Sequence, residues 1–219
     1  MRMTFFTALT IIAGAIGIMA LIAPSFAIEG VLKDKGKDIK AEKPADYPVA
    51  TLAGGCFWCL ESEFRAVDGI LHTRVGYTGG QTQSPTYQDI TTGQTGHAEA
   101  VEITFDPTKI TYKELITFFL EKAHNPTQLN RQGVDVGTQY RSDIFYHNEE
   151  QKQIAHDLIQ QTDAKGLYSN PIVTKISPAE KFWLGEEYHQ QYYEKYEQQN
   201  GQIHPRVIYK KRVKALKGN

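Results

Sequence analysis

Val49-Ala50-Thr51-Leu52-Ala53-Gly54-Gly55-Cys56-Phe57-Trp58-Cys59-Leu60-Glu61-Ser62-Glu63-Phe64 is the stretch on which the fold turns. Its first five residues form a short apolar run of the strand type, and the glycine pair breaks it. From Cys56 onward Phe57, Leu60, Phe64 and Val67 recur at helical spacing, with Glu61, Glu63 and Arg65 between them. A helix to about Val67 follows. Cys56 therefore stands at a strand-to-helix junction, where unpaired N–H groups and the helix dipole favour a thiolate. Gly54 and Gly55 allow a tight turn that leaves the sulfur approachable. Cys59 lies one turn on, on the same helix face. Helical neighbours at that spacing have Cβ atoms ~5–6 Å apart, whereas a disulfide wants ~3.5–4.5 Å, so a bridge requires a modest relaxation of the first turn. A bond of that kind is easy to make and easy to reduce. A static bridge closing so small a loop adds little stability. A zinc site is weaker still as a reading, since one CxxC supplies two of the usual four ligands.

Beyond the helix, Gly69-Ile70 to Tyr77 reads as extended. Residues 78–97 (TGGQTQSPTYQDITTGQTGH) form a long polar loop, of a length that is usually functional. Ala98 to Phe105 alternates, with Val101, Ile103 and Phe105 on one side and Glu102 and Thr104 on the other, as in a half-buried strand. By this alternation Glu99 shares a face with Val101, an odd place for a surface charge. Thr111 and Glu114 form a capping box for a helix through Phe118, Phe119 and Ala123, ended by His124-Asn125-Pro126. A second polar loop spans 125–139. A strand follows from Tyr140 to His147, then a helix capped by Asn148 with Gly166 beyond its end, then a strand from Pro171 to Ser177. Helices and strands are intermixed, and several connections are too short for parallel crossovers. An α+β sandwich of helices on a mixed, mostly antiparallel sheet, ferredoxin-like in layout and carrying long functional loops, is expected.

The flanks differ from this domain. Residues 4–23 (TFFTALTIIAGAIGIMALIA) carry no charge, Arg2 precedes them, and Pro24-Ser25-Phe26-Ala27 ends in the small-x-small pattern of a secretory signal. Cleavage after Ala27 is expected, with an uncleaved membrane anchor as the alternative, because ~20 apolar residues also suffice to span a bilayer. Either way the remainder sits outside the cytoplasm, in the periplasm. Residues 28–47 are rich in Lys, Asp and Glu and read as a solvated linker. The catalytic domain is expected over 48–200 and a basic, solvated tail over 201–219. The whole chain has 219 residues, with 24 basic against 25 acidic side chains, which argues against a nucleic-acid surface. Two cysteines exclude a disulfide-rich scaffold.

Six ordered blocks carry a resemblance over about residues 48–196: Gly55-Cys56-Phe57-Trp58-Cys59, Gly76-Tyr77-Thr78-Gly79-Gly80, Pro85-Thr86-Tyr87, Gly96-His97-Ala98-Glu99-Ala100-Val101, Asn130 to Ser142 (NRQGVDVGTQYRS), and Glu187 to Tyr192 (EYHQQY). In this order they resemble the peptide methionine sulfoxide reductases of the A type. The resemblance implies that Cys56 attacks the sulfoxide sulfur and becomes a sulfenic acid. Glu99, flanked by Ala98 and Ala100, fits the acid that protonates the departing oxygen, since burial keeps a carboxyl protonated. Tyr77 and Tyr140 are candidates to donate hydrogen bonds to that oxygen, and Asp135 resembles the family's other site carboxylate. Phe57 and Trp58 suit the S-methyl group. His189 is a candidate contact on the substrate side, or a hydrogen-bonding support; His97 and His124 read as hydrogen-bonding supports.

Relatives often resolve the sulfenic acid with cysteines near the C-terminus. Here no cysteine follows Cys59, so Cys59 is the expected resolver, and an external thioredoxin-type dithiol is the expected reductant. Asn125 stands where relatives often have Asp. No cofactor and no metal are expected. The expected partners are protein or peptide methionine sulfoxide and a thioredoxin-like donor, with no nucleic acid, membrane contact only through residues 4–23 if uncleaved, and a monomeric chain. The resemblance also implies selectivity for the S epimer. The competing readings are a general CxxC thiol–disulfide oxidoreductase and a non-catalytic binding module with a structural disulfide.

Overall fold

The computed structural model describes residues 44–207. The expected signal segment at 1–27, most of the expected linker and the end of the basic tail lie outside the described residues. In chain order the elements are β1 (Val49–Gly54), α1 (Phe57–Arg65), β2 (Ile70–Thr78), α2 (Tyr87–Thr91), β3 (Ala98–Phe105), α3 (Tyr112–Phe118), β4 (Arg131–Gln132), β5 (Asp135–Val136), β6 (Ser142–Tyr146), α4 (Glu149–Ala164), β7 (Lys175–Pro178), β8 (Trp183–Leu184) and α5 (Tyr192–Asn200). A π-helical turn, Phe119–Ala123, continues α3. Strands β4 and β5 form a hairpin of their own; the other six make one sheet in the order β7-β6-β1-β3-β2-β8. The β6–β7 pair is parallel and the remaining pairs of this sheet are antiparallel. The central order β6-β1-β3-β2, with α1 after β1 and α3 after β3, is the split β-α-β arrangement of the ferredoxin-like class.

One face of this sheet carries the helices. Phe57, Leu60 and Phe64 of α1, Leu115 and Ile116 of α3, and Ala155 and Leu158 of α4 share a core with Leu52, Val75, Val101 and Ile103 from the sheet. The alternation of β3 predicts one solvated face, yet all eight of its residues are buried. The second face is covered too: Ala179 and Phe182 pack over Ala53, Ala98, Ala100 and Phe145. Small side chains on that face let the covering segment approach closely. Glu102, the outward carboxylate, is satisfied by Arg74 Nε at 2.8 Å.

Both long loops contain structure too short to leave a periodic signal. Thr86 and Asp89 form a capping box that opens the single turn of α2, and the 125–139 loop holds the β4–β5 hairpin. The strand expected over 140–147 runs from 142 to 146, and that expected over 171–177 runs from 175 to 178. The tail also differs from the expected solvated end: residues 204–207 fold back on the cysteines, because His204 sits among the rings of Tyr192, Tyr193 and Tyr196.

Antiparallel pairing collects the last residues of β1 and β2 and the first residues of β3 and β6 at one end of the sheet. Cys56, Tyr77, Glu99 and Tyr140 all lie there. Glu61 fastens the C-terminal segment to this end. Its carboxylate accepts the Thr73 hydroxyl at 2.9 Å and the Gln191 N–H at 2.8 Å. Gln191 is left-handed, with φ of 49°, and from it α5 departs.

The capping box of α3 gives a stability test. Thr111 accepts the Glu114 N–H while Glu114 accepts the Thr111 N–H. Thr111→Ala is expected to cost ~1 kcal/mol and to lower the melting temperature by about 2–4 °C, measured by thermal unfolding.

Candidate active site

Gly55 makes the turn that presents Cys56. Its φ is +95°, and a Cβ there would meet the Gln132 side chain at 2.6 Å, so only glycine serves. Cys56 is the N-cap of α1, and its carbonyl accepts the N–H groups of Cys59 and Leu60. The helix N-terminus is expected to favour a Cys56 thiolate, but the structure spends that field elsewhere. The Phe57 N–H, the first amide of the helix, donates to Glu99 Oε2 at 3.0 Å. Contact with the Cys59 thiol and burial push the Cys56 thiol well above its ordinary value. The resting sulfur therefore holds its proton.

Glu99 is 2% exposed. Burial pushes its carboxyl up to about 8, against the lowering effect of the Phe57 N–H. Asp135, on β5, raises it further by repulsion and is itself ion-paired with Arg206. Glu99 is thus a protonated carboxyl at neutral pH, oriented by a backbone donor.

Tyr77 stands opposite Glu99 in the β2–β3 register. Its ring is fully buried, and its hydroxyl donates to Glu186 Oε2 at 2.7 Å. That proton is committed, which corrects the donor role expected of Tyr77. Two half-buried tyrosines, Tyr140 and Tyr87, feel both Glu99 and Cys56. Tyr140 packs against the cluster of Cys56, Cys59 and Tyr193, and burial followed by the Glu99 charge pushes its hydroxyl up. Tyr87, raised to about 12 by burial and then by Glu99 and Cys56, is a site residue that sequence reasoning passed over. Its Pro85-Thr86-Tyr87 block was visible, but only the fold shows that α2 turns this ring inward. Glu186 is a second such residue. It accepts the Tyr77 hydroxyl and the Tyr87 N–H, the latter at 2.9 Å, and nothing in its Glu-rich surroundings marks it out.

Trp58 donates its indole N–H to His189 Nδ1 at 2.9 Å and stacks on Tyr192 with centroids 3.8 Å apart. Since the indole can only donate, His189 carries its proton on Nε2. That atom finds no hydrogen-bond partner among the described residues and lies 3.8 Å from Glu186. Burial lowers the imidazole's pKa, so the ring is neutral. His189 is 1% exposed, so it supports Trp58, Phe57 and Tyr87 from behind, which corrects its expected place as a substrate contact. Phe57 is likewise fully buried, packed between Tyr77 and His189. Trp58 alone of the pair is half-exposed and packs against the cysteines.

Cys59 is 6% exposed, with its Sγ 3.1 Å from the Tyr193 hydroxyl. Both cysteines are reduced. Arg141 braces the surrounding loops by donating to the carbonyls of Gly79, Gly96 and Thr138. His97 and His124 bond loop backbone and Ser142, in structural roles. Asn125 accepts from Thr127 N and Oγ; an Asp there would accept both equally.

Two thiols on one helical turn, backed by a proton-bearing carboxyl, are the equipment of an enzyme that moves electrons through sulfur. Comparison with known proteins is specific. A family model for peptide methionine sulfoxide reductase matches residues 48–218. The peptide methionine sulfoxide reductase MsrA of Methanosarcina acetivorans is 48% identical over 176 residues, covering 77% of this chain and 93% of that protein. The MsrA of Methanothermobacter thermautotrophicus is 53% identical over 149 residues, covering 68% and 88%. Among solved structures, reduced Mxr1 from Saccharomyces cerevisiae superposes with a TM-score of 0.66 at 35% identity, covering 77% of this chain and 93% of that one. Methionine sulfoxide reductase A of Corynebacterium diphtheriae superposes with a TM-score of 0.61 at 34% identity, covering 74% and 79%. The chain belongs to the peptide methionine sulfoxide reductase family, A type, and is an oxidoreductase.

The buried carboxyl has a consequence for stability. Glu99 stays protonated in the fold to about pH 8 but ionises near 4.5 when unfolded, so its stabilising share is present at low pH and is lost as pH rises between these values. Glu99→Gln removes that slope. Between about pH 5 and 7 the variant is expected to gain on the order of 2 kcal/mol relative to the parent, read from urea unfolding at the two pH values.

Proposed function

We propose that the chain reduces the S epimer of methionine sulfoxide in peptides and exported proteins, with Cys56 as nucleophile, Glu99 as acid and Cys59 as resolver. The observation that carries this reading is the pair of protons held at the site. The departing oxygen needs a proton, and the buried carboxyl of Glu99 and the thiol of Cys56 both hold theirs at neutral pH. Cys56 attacks the sulfoxide sulfur while Glu99 protonates the oxygen. The S–O bond to the methionine sulfur breaks and the oxygen passes to the Cys56 sulfur; methionine leaves reduced by two electrons, Cys56 remains as a sulfenic acid oxidised by two, and the proton given up by the Cys56 thiol restores Glu99. Tyr140 and Tyr87 are the hydroxyl donors to the oxygen, and Trp58 offers its aromatic surface to the S-methyl group. Cys59 then displaces the sulfenic oxygen as water, forming a disulfide that an external thioredoxin-type dithiol reduces.

The test uses both diastereomers of a blocked methionine sulfoxide with dithiothreitol. Consumption of the S epimer is expected, and Cys56→Ser is expected to abolish it; consumption of neither epimer by the parent removes the reading. Cys59→Ser is expected to release one equivalent of methionine and then stall with a thioredoxin donor. Loss of the Glu99 proton is expected to slow methionine formation as pH rises through about 8. Glu99→Gln is expected to lower the single-turnover rate at least ~100-fold, the scale of general acid catalysis, and to erase that pH limb.

The exported setting is part of this proposal and is supported by the signal pattern in residues 1–27. The N-terminal residue of the mature protein, with its membrane or soluble fractionation, tests it. An intact Met1 in the soluble cytoplasmic fraction refutes the setting.

A further inference from the structure

The C-terminal segment packs on the turn of α1 that carries Cys59. Tyr193, in the first turn of α5, places its hydroxyl 3.1 Å from Cys59 Sγ, with both residues buried. Val207 packs on the same cluster. Arg206 reaches Asp135 as an ion pair. His204 ties these together: its ring lies 4.9 Å from that of Tyr193, and its Nδ1 accepts the Arg206 N–H at 3.1 Å. In a chain whose C-terminal segment has no cysteine, that segment is nevertheless built onto the second thiol.

We propose that Tyr193 is the positioning residue of the resolving step, holding Cys59 against Cys56 and donating the hydrogen bond that stabilises the Cys59 thiolate as it attacks. The proposal rests on the reading of Cys59 as resolver. While Cys59 is a thiol, either atom of the S···O pair can donate. Once the thiol ionises, the sulfur can only accept and the hydroxyl must donate. Burial, followed by the Cys59 charge, pushes the Tyr193 hydroxyl far up, so it keeps its proton throughout. A hydrogen bond given to the charged form favours that form. The other groups facing Cys59 are Cys56 on its own turn, Glu99 from β3 and Arg206 from the closing segment. Glu99 is neutral, and the charge of Arg206 is shared with Asp135. Tyr193 touches the Cys59 sulfur directly and so responds to its ionisation.

The step balances within the site. The Cys59 thiolate attacks the sulfur of the Cys56 sulfenic acid. The S–S bond forms and the S–O bond breaks, with its electron pair leaving on oxygen. That oxygen takes up the proton given up by Cys59 and departs as water. The buried thiol becomes charged in this step, and the tyrosine hydroxyl is in place to donate to it.

Tyr193→Phe removes the hydroxyl and keeps the ring in its packing. The first measurement needs no turnover. In a Cys56→Ser background one thiol remains, and its ultraviolet thiolate absorbance is titrated with and without Tyr193→Phe. The midpoint is expected to rise by about one pH unit when the hydroxyl is lost, the size of a lost hydrogen bond to the charged form. The second measurement mixes the reduced enzyme with one equivalent of methionine sulfoxide and follows methionine release and sulfenic acid decay separately. At neutral pH the ratio of the decay rate to the release rate is expected to fall about tenfold in Tyr193→Phe, and to return towards the parent value above the raised midpoint. An unchanged midpoint overturns the proposal, whatever the enzyme does with sulfoxide. A shifted midpoint with an unchanged ratio overturns the role in resolution. A parent enzyme that releases no methionine overturns the reductase reading and this role with it, and the absence of release identifies that failure.

Discussion

The hydrogen bond from the Phe57 N–H to Glu99 joins the start of α1 to the start of β3, and the site is arranged around it. The donor exists because a helix leaves its first amides unpaired. The acceptor is in place because β3 pairs with β1 and β2 in a register that sets Glu99 beside Tyr77 and on the face of Val101. A slip of one residue would send the carboxyl to the face of Ala98 and Ala100, under Phe182. Two opposed effects meet at this carboxyl. The amide favours its ionised form and burial its neutral form, and burial wins. The result is a group both oriented and protonated, a combination that neither effect supplies alone.

Glu61 repeats the motif on the same helix. It too is buried and raised, to about 7, and it too accepts a backbone N–H from a distant segment, here at Gln191. α1 thus anchors both sides of the site: Glu99 of the sheet is tied to its first turn, and the C-terminal segment to its second. Glu99 and the C-terminal segment, far apart in the chain, are thereby both fastened to the helix that carries Cys59.

Much of this was legible in the residues. The Gly54-Gly55 break, the helical spacing after it, the Thr111–Glu114 box and the Asn148 cap are local signals, and local hydrogen bonds enforce them. The inward Glu99 was legible because alternation is a property of one strand. What escaped depends on segments remote in sequence. β3 reads as half-exposed, since no strand pattern reveals that residues 179–182 will cross its other face. Tyr77 and Tyr87 are indistinguishable as isolated tyrosines; Glu186, about a hundred residues away, engages the hydroxyl of the first and the backbone of the second. The tail looked solvated because its Lys and Arg content outweighs His204 and Val207, whose partners are set only once α5 has folded.

The chain has two tryptophans, and the fold puts them in different surroundings. Trp183 lies on the edge strand β8, with Lys181 Nζ 3.6 Å from its ring centroid. Trp58 lies flat on Tyr192, bonded to His189 and packed on the cluster that holds both cysteines. Its emission is therefore an intrinsic optical reporter of the thiol pair. A Trp183→Phe chain would carry a single tryptophan, at the reaction centre, so with excitation selective for indole the redox cycle becomes observable in real time without any added label.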